Sequence, residues 1–237
     1  MKQTSRNMIL SAAFIMLMTA SCNTVKKTSN QDKGVAVGAA GGAVIGGVIG
    51  NNVGNKNNTA LGAIIGAAVG GVAGGIIGHD MDKQAEKIKT EVPGAKVERI
   101  GEGINVTFDE NNPDGSKAGV YFATDKYSIN ANSKLALGKL QKIFAEYDET
   151  NILIEGHTDD VGTGKYNMTL SKRRAEAVGK ALRADGIPST RLITSWYGEN
   201  QPITENNSDG NRALNRRVQF VITANEKMKE EARQKAK

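Results

Sequence analysis

"NILIEGHTDDVGTGKYNMTLSKRRAEAVGKALRADGIPSTRLITSWYG", residues 151–198, passes from strand grammar to helix grammar and back. Ile152, Leu153 and Ile154 form a compact apolar run, consistent with a strand buried inside a sheet. Leu170, Arg174, Val178 and Leu182 then recur every four residues, which puts them on one helix face. Asn167 can cap that helix and Gly186 can end it, with Pro188 preventing continuation. Leu192 to Tyr197 is the next strand. Arg174 breaks the pattern, because a guanidinium on an apolar stripe costs several kcal/mol if it is buried unpaired. It must find a carboxylate inside the fold or sit at a rim that an anionic ligand can reach. Asp159 is the candidate acid, in the loop after the strand, where α/β sheets commonly place ligands. Lys172, Arg173, Glu176 and Lys180 lie off the stripe and can face water.

Outward from this unit the same grammar continues. Ile104, Val106 and Phe108 alternate with polar residues, the signature of a half-buried strand. Val120 to Phe122 is expected to start another. Leu135, Leu140, Ile143 and Phe144 give helical spacing between Asn132 and Tyr147, and Val218 to Ile222 completes the strands. The expected fold over residues 95–224 is an α/β (α+β) sandwich, a mixed sheet with helices on one face.

The N-terminal third is different. Most of the 28 glycines precede residue 80, while nearly all aromatic and charged residues follow it. Lys2 and Arg6, the apolar stretch Met8 to Met18 and the small residues Ala20 and Ser21 make residues 1–21 an export signal, too short to span a bilayer. Cys22 follows directly and is the only cysteine, so it has no intramolecular disulfide partner. It resembles the lipobox cysteine of bacterial lipoproteins, with Thr19 where leucine is usual; lipidation is expected, the alternative being an incidental cysteine behind an ordinary signal.

Glycines recur every fourth residue from Gly34 to Gly54 and again from Gly62 to Gly78, around the polar break Asn51 to Thr59. As helices, Gly34 to Gly50 and Ala60 to Gly78 would be about 25 and about 28 Å long, close to a hydrocarbon core of about 30 Å. Each ladder makes a smooth stripe that lets another helix approach closely. A helical hairpin over 34–78 is the expectation. Its insertion is marginal, because Leu61, Ile64, Ile65, Val69, Val72, Ile76 and Ile77 each contribute only about −0.3 to −0.6 kcal/mol; ladder pairing or oligomerisation must supply the rest. A flexible linker is the competing reading. The segment resembles the glycine-zipper domains of bacterial envelope lipoproteins. Residues 22–33 and 79–94 read as linkers, and 225–237 as a solvated charged tail.

Three ordered stretches carry a second resemblance: "EGHTDDVGTGKYNMTLSKRRAEAV" (155–178), "YGENQP" (197–202) and "GNRALNRRV" (210–218). They resemble the OmpA C-terminal peptidoglycan-binding domain, and are similar to the peptidoglycan-associated lipoproteins, over about residues 95–224. The resemblance implies that Asp159 and Arg174 grip the free amino-acid end of diaminopimelate in the peptidoglycan stem peptide. It places Asp125 at another ligand contact, with Thr124 where phenylalanine is common, and puts Thr158, Asn167 and Leu170 near the ligand. The chemistry agrees: an ammonium and a carboxylate on one carbon need a fixed anion facing a fixed planar cation. An internal Asp159–Arg174 salt bridge is the alternative. Asn215, Arg216 and Arg217 read as structural, tying the last strand to its loop.

The implied function is non-covalent tethering of the outer membrane to the wall, by a lipid-anchored chain whose globular domain faces the periplasm. Peptidoglycan and outer-membrane lipid are the expected partners, with a homo-oligomer through the ladders possible. A glycine-zipper pore or scaffold, with the domain as tether, is the alternative. The net charge of +6 is spread among acids and no basic, aromatic platform appears, so nucleic acid is not expected. Glu155, His157 and Asp159 have no second histidine nearby to complete a metal set. Ser171, His157 and Asp160 could be drawn as a triad, but nothing like a nucleophile elbow surrounds the serine. No enzyme activity, metal or cofactor is expected.

Overall fold

A computed structural model describes residues 69–108, 119, 120, 122 and 125–237. The order is α1 (Gly71–Glu91), β1 (Ala95–Ile100), β2 (Gly103–Phe108), α2 (Ala131–Glu146), β3 (Thr150–His157), α3 (Gly164–Ala184), β4 (Leu192–Gly198), the short α4 (Asp209–Asn215), β5 (Val218–Ala224) and α5 (Glu226–Lys235). The strands form one mixed sheet in the order β1-β2-β5-β3-β4. Only β3 and β4 are parallel, joined through α3; the other pairings are antiparallel.

Alternation along the strands decides the layers. Ile152, Ile154, Val218, Phe220 and Ile222 share one core with buried residues of α1, α2, α3 and α5, so the long helices cover one face of the sheet. Phe220 sits at its centre, edge-on to Phe108 at 6.1 Å and tilted against Phe144 at 6.2 Å. The intervening residues Ile100, Leu153 and Val221 form a small cluster on the opposite face. The expected sandwich is therefore the observed one. Gly156 is required by close approach: a Cβ there would lie 2.2 Å from the Ser171 carbonyl oxygen, so α3 packs directly on the β3 backbone.

Several expectations are corrected. Gly70 and Gly71 have φ of 66° and 65°, a left-handed conformation that favours glycine. The second ladder therefore does not run as one helix from Ala60 to Gly78; α1 starts at Gly71 and continues to Glu91. The segment read as a linker from residue 79 is mostly the rest of that helix. Ile77, Met81, Ala85 and Ile88 recur at three or four residues and are buried in the domain core. Arg99 adds an ion pair to Asp82 at 2.7 Å, and Lys87 one to Glu146 at 3.0 Å. The tail is likewise a helix: Met228 and Ala232, four apart, are buried, and α5 packs against α1.

Val120 and Phe122 are buried but lie in no strand. The missed strand is β1, whose Val97 alternates with Lys96 and Glu98 in a hairpin with β2 turning at Gly101, φ 58°. Leu135 is 70% exposed, because Ala136 and Leu137, four and three residues before Leu140, take the inward face of α2 instead. Thr163, not Asn167, caps α3: its hydroxyl accepts from the Tyr166 N–H at 3.2 Å. Among the described residues no helix is long and apolar enough to cross a membrane. The export signal, Cys22, most of the ladders and Thr124 lie outside the described residues.

Candidate functional site

The C-terminal ends of the parallel pair β3 and β4 meet the N-terminal turns of α3, the place where open α/β sheets leave a crevice. The Thr158 N–H donates to the Gly198 carbonyl at 2.9 Å, holding the two strand ends together. Asp159 follows at once. Its Oδ2 lies 2.8 Å from Arg216 Nη1, and its Oδ1 accepts from the Val161 N–H at 3.3 Å. The carboxylate is thus fixed from two sides before any ligand arrives.

Arg174 stands three turns into α3 and is 1% exposed. Its Nε donates to the Lys126 carbonyl at 3.0 Å, and its guanidinium lies 5.3 Å from the Phe122 ring centre. Burial pushes this guanidinium down to about 10, with the Asp159 carboxylate acting against the fall and Arg216 adding to it. It remains a cation at neutral pH. The apolar stripe and the charge are reconciled because the buried head is held by a backbone carbonyl and an aromatic ring.

Of the other expected residues, Asn167 is a buried brace: its Nδ2 donates to the Asp159 carbonyl at 3.3 Å and to the Glu199 carboxylate. Thr158 is buried, and its hydroxyl has no hydrogen-bond partner among the described residues. Asp125, at φ 56°, accepts from the Tyr166 hydroxyl at 3.0 Å. It shares with Leu170 the lining of a cleft of about 440 Å³ beside α3. Asn215 fits its structural reading, accepting from the Ile203 and Thr204 N–H groups and donating to the Thr204 carbonyl. Arg217 donates to Gln219 and to the Gln201 carbonyl. Arg216 ties the start of the last strand to the loop after β3 through its ion pair with Asp159. Arg174 and Arg216 thus both act on the one Asp159 carboxylate.

Glu155 and His157 project away from the helices, on the face opposite the main core. The Glu155 carboxylate accepts from the Tyr197 hydroxyl at 3.0 Å and from the Gln219 amide. His157 is fully buried, stacked on Tyr197 at 5.3 Å, with neither ring nitrogen hydrogen-bonded among the described residues. The Ser171 hydroxyl donates to the Met168 carbonyl and accepts from the Gly198 N–H, both within the fold. Burial, then the Arg217 charge, holds the His157 imidazole well below its ordinary 6.5.

Above about pH 6.5 the imidazole is neutral in both folded and unfolded chains; below it only the unfolded chain takes up the proton, so stability falls as pH drops toward the folded value. Glu155, raised by burial, acts oppositely: its contribution declines as pH rises above its ordinary 4.5. Urea titrations at pH 7.5, 6.5 and 5.5 are expected to show stability falling on acidification, His157 alone contributing a slope of up to about 1.4 kcal/mol per pH unit. His157→Phe is expected to flatten that slope.

Residues 121–216 match the OmpA family, and residues 1–82 match the YMGG-like Gly-zipper family. Outer membrane porin F of Pseudomonas fluorescens is 38% identical over 105 residues, 44% of this chain and 32% of that protein. The peptidoglycan-associated lipoprotein of Buchnera aphidicola is 32% identical over 102 residues, 43% of this chain and 59% of that protein. Outer-membrane lipoprotein YfiB of Pseudomonas aeruginosa is 32% identical over 116 residues, 49% of this chain and 69% of that protein. The chain thus spans about a third of the porin and less than two thirds of the peptidoglycan-associated lipoprotein. Among solved structures, a MotB-like protein from Desulfovibrio vulgaris superposes with a TM-score of 0.53 at 26% identity, covering 62% of this chain and 93% of that one.

Proposed function

We propose, since this chain belongs to the OmpA family, that it binds peptidoglycan without covalent attachment and holds an envelope membrane to the wall. The observation that carries the proposal is the buried Arg174 beside a carboxylate already oriented by Arg216 and the Val161 N–H. The far end of a diaminopimelyl side chain carries an ammonium and a carboxylate on one carbon. Arg174 takes the carboxylate through a two-point bond, and Asp159 shares its negative charge between Arg216 and the ligand ammonium. The relatives support the wall as target, one being named for peptidoglycan association.

Two relatives are named as lipoproteins, which supports Cys22 as the lipidated residue and an outer-membrane location for the anchor. With α1 packed into the domain from Ile77 onward, no sixteen-residue tether separates the last glycine rungs from the wall-binding unit. The zipper and the domain share that helix. The proposal is tested by sedimenting the full chain with purified sacculi. It is expected to pellet with them and to be released by a soluble diaminopimelate-containing tripeptide. A chain that stays in the supernatant, or is not released, would contradict it.

A further inference from the structure

Beside the pit formed by the proposed clamp, Asp159 and Arg174, the cleft is lined by six residues besides the expected ligand contacts Asp125 and Leu170. Tyr127 and Tyr166 stand in its wall 48% and 43% exposed, with Lys165 and Arg173 from α3 and the side chain of Leu170. The one acid in this wall, Asp125, already accepts from the Tyr166 hydroxyl at 3.0 Å. Arg173 lies over the Tyr127 ring with its guanidinium carbon 5.4 Å from the centroid, so the loop holds the cation in place. Neither Lys165 nor Arg173 forms an ion pair with a carboxylate among the described residues. The exposed neighbour Lys172, by contrast, is paired with Glu176 at 3.8 Å. The cleft therefore offers two cations with no ion-pair partner among the described residues, one carboxylate already engaged by the Tyr166 hydroxyl, and two half-exposed rings in one concave surface. Leu170 belongs to both, lining the cleft and standing one turn before Arg174 on the same helix.

Resting on the reading that the pit holds the end of a diaminopimelyl side chain, we propose that this cleft is a second subsite, which takes the main-chain carboxylates of the acidic stem peptide through Lys165 and Arg173. The far end of the side chain lies in the pit, and its carbon chain passes over Leu170. The peptide main chain then emerges where the two cations stand. A γ-linked glutamyl residue leaves its α-carboxylate free beside the diaminopimelyl residue, and a tripeptide ending there adds a second carboxylate. Both are anions within reach of long flexible side chains, and the tyrosine rings pack on the intervening methylenes. The pit alone would recognise the side-chain end; the cleft adds recognition of the peptide's charge, and so discriminates between acidic and amidated walls.

The experiment uses the full chain and two synthetic probes, the tripeptide L-Ala-γ-D-Glu-meso-diaminopimelate and the same tripeptide with both main-chain carboxylates as carboxamides. The side-chain amino-acid end is intact in both. Calorimetry is expected to show the acidic probe binding at least fivefold more tightly than the amidated one. Lys165→Gln with Arg173→Gln is expected to erase that difference while leaving the amidated probe's affinity unchanged, because both residues are exposed and outside the pit. Equal affinity of the original chain for the two probes, or a preference that survives the double substitution, would overturn the subsite and leave the pit standing. A chain that binds neither probe would overturn the pit reading and the subsite with it, whereas Asp159→Asn is expected to abolish binding of both.

Discussion

Ile77→Ala and Ile88→Ala are each expected to lower the unfolding free energy by about 2–5 kcal/mol, the usual cost of truncating a large buried aliphatic side chain. Both are 0% exposed and belong to the main core, although they stand in a segment that looks like the end of a glycine ladder and a linker. Val72→Ala, at the second residue of the same helix but 60% exposed, is expected to change stability by less than about 0.5 kcal/mol. A fragment beginning at residue 95 loses Ile77, Met81 and Ile88 together. It also uncovers the surface of α5 that packs on α1. It is expected to lose at least the roughly 4 kcal/mol of two such truncations, a large part of the 5–15 kcal/mol typical of a domain. Urea titration of the variants and the fragment, followed by far-ultraviolet dichroism, checks the series. Equal stability of the fragment and the full chain would mean that α1 contributes nothing to the core.

The second large effect lies in the clamp. Arg174→Ala is expected to weaken binding of a diaminopimelate-containing peptide at least tenfold, since a charge-assisted hydrogen bond contributes about 1.5–3 kcal/mol and 1.4 kcal/mol is a factor of ten. Arg174→Lys keeps the charge and loses the planar fork, so most of that loss is expected to remain. Asp159→Asn is expected to weaken binding to a similar degree, with a distinct cost to the fold. Removing the negative charge leaves Arg174 and Arg216 facing each other without the anion between them. Arg174→Ala, by contrast, leaves Asp159 paired with Arg216 at 2.8 Å. The double variant Asp159→Asn with Arg216→Gln removes one of the opposed cations. It is expected to recover stability without recovering binding, which separates the carboxylate's ligand role from its place in the fold.

The β3–α3–β4 unit could be read from the sequence because its signals are local: an apolar run, a four-residue stripe, and Gly186 with Pro188 at the turn. Arg174 could be found for the same reason, as a charge on an apolar stripe. The contact of Arg216 with Asp159 could not be read, because the two are 57 residues apart and the β3/β5 pairing brings them together. The motif "NRRV" does not distinguish Arg216, which turns to Asp159, from Arg217, which turns to Gln219. α1 was hidden by overlap. The glycine period continues to Gly78 while the stripe of Ile77, Met81, Ala85 and Ile88 has already begun, and the break falls at Gly70 and Gly71 inside the ladder. The tail hid its helix similarly, with Met228 and Ala232 as the only buried pair in a run of charges.

On the proposed reading, Asp159 and Arg174 together recognise a carboxylate and an ammonium on the same carbon. Lysine in place of diaminopimelate keeps the terminal ammonium and loses the carboxylate, so a pair of stem peptides differing only there isolates the contribution of Arg174. Calorimetric titration of the full chain with both peptides is expected to show the diaminopimelate peptide binding at least tenfold more tightly, with the preference lost in Arg174→Ala. Equal affinity of the unaltered chain for the two peptides would contradict the assignment of Arg174 and Asp159 as the clamp.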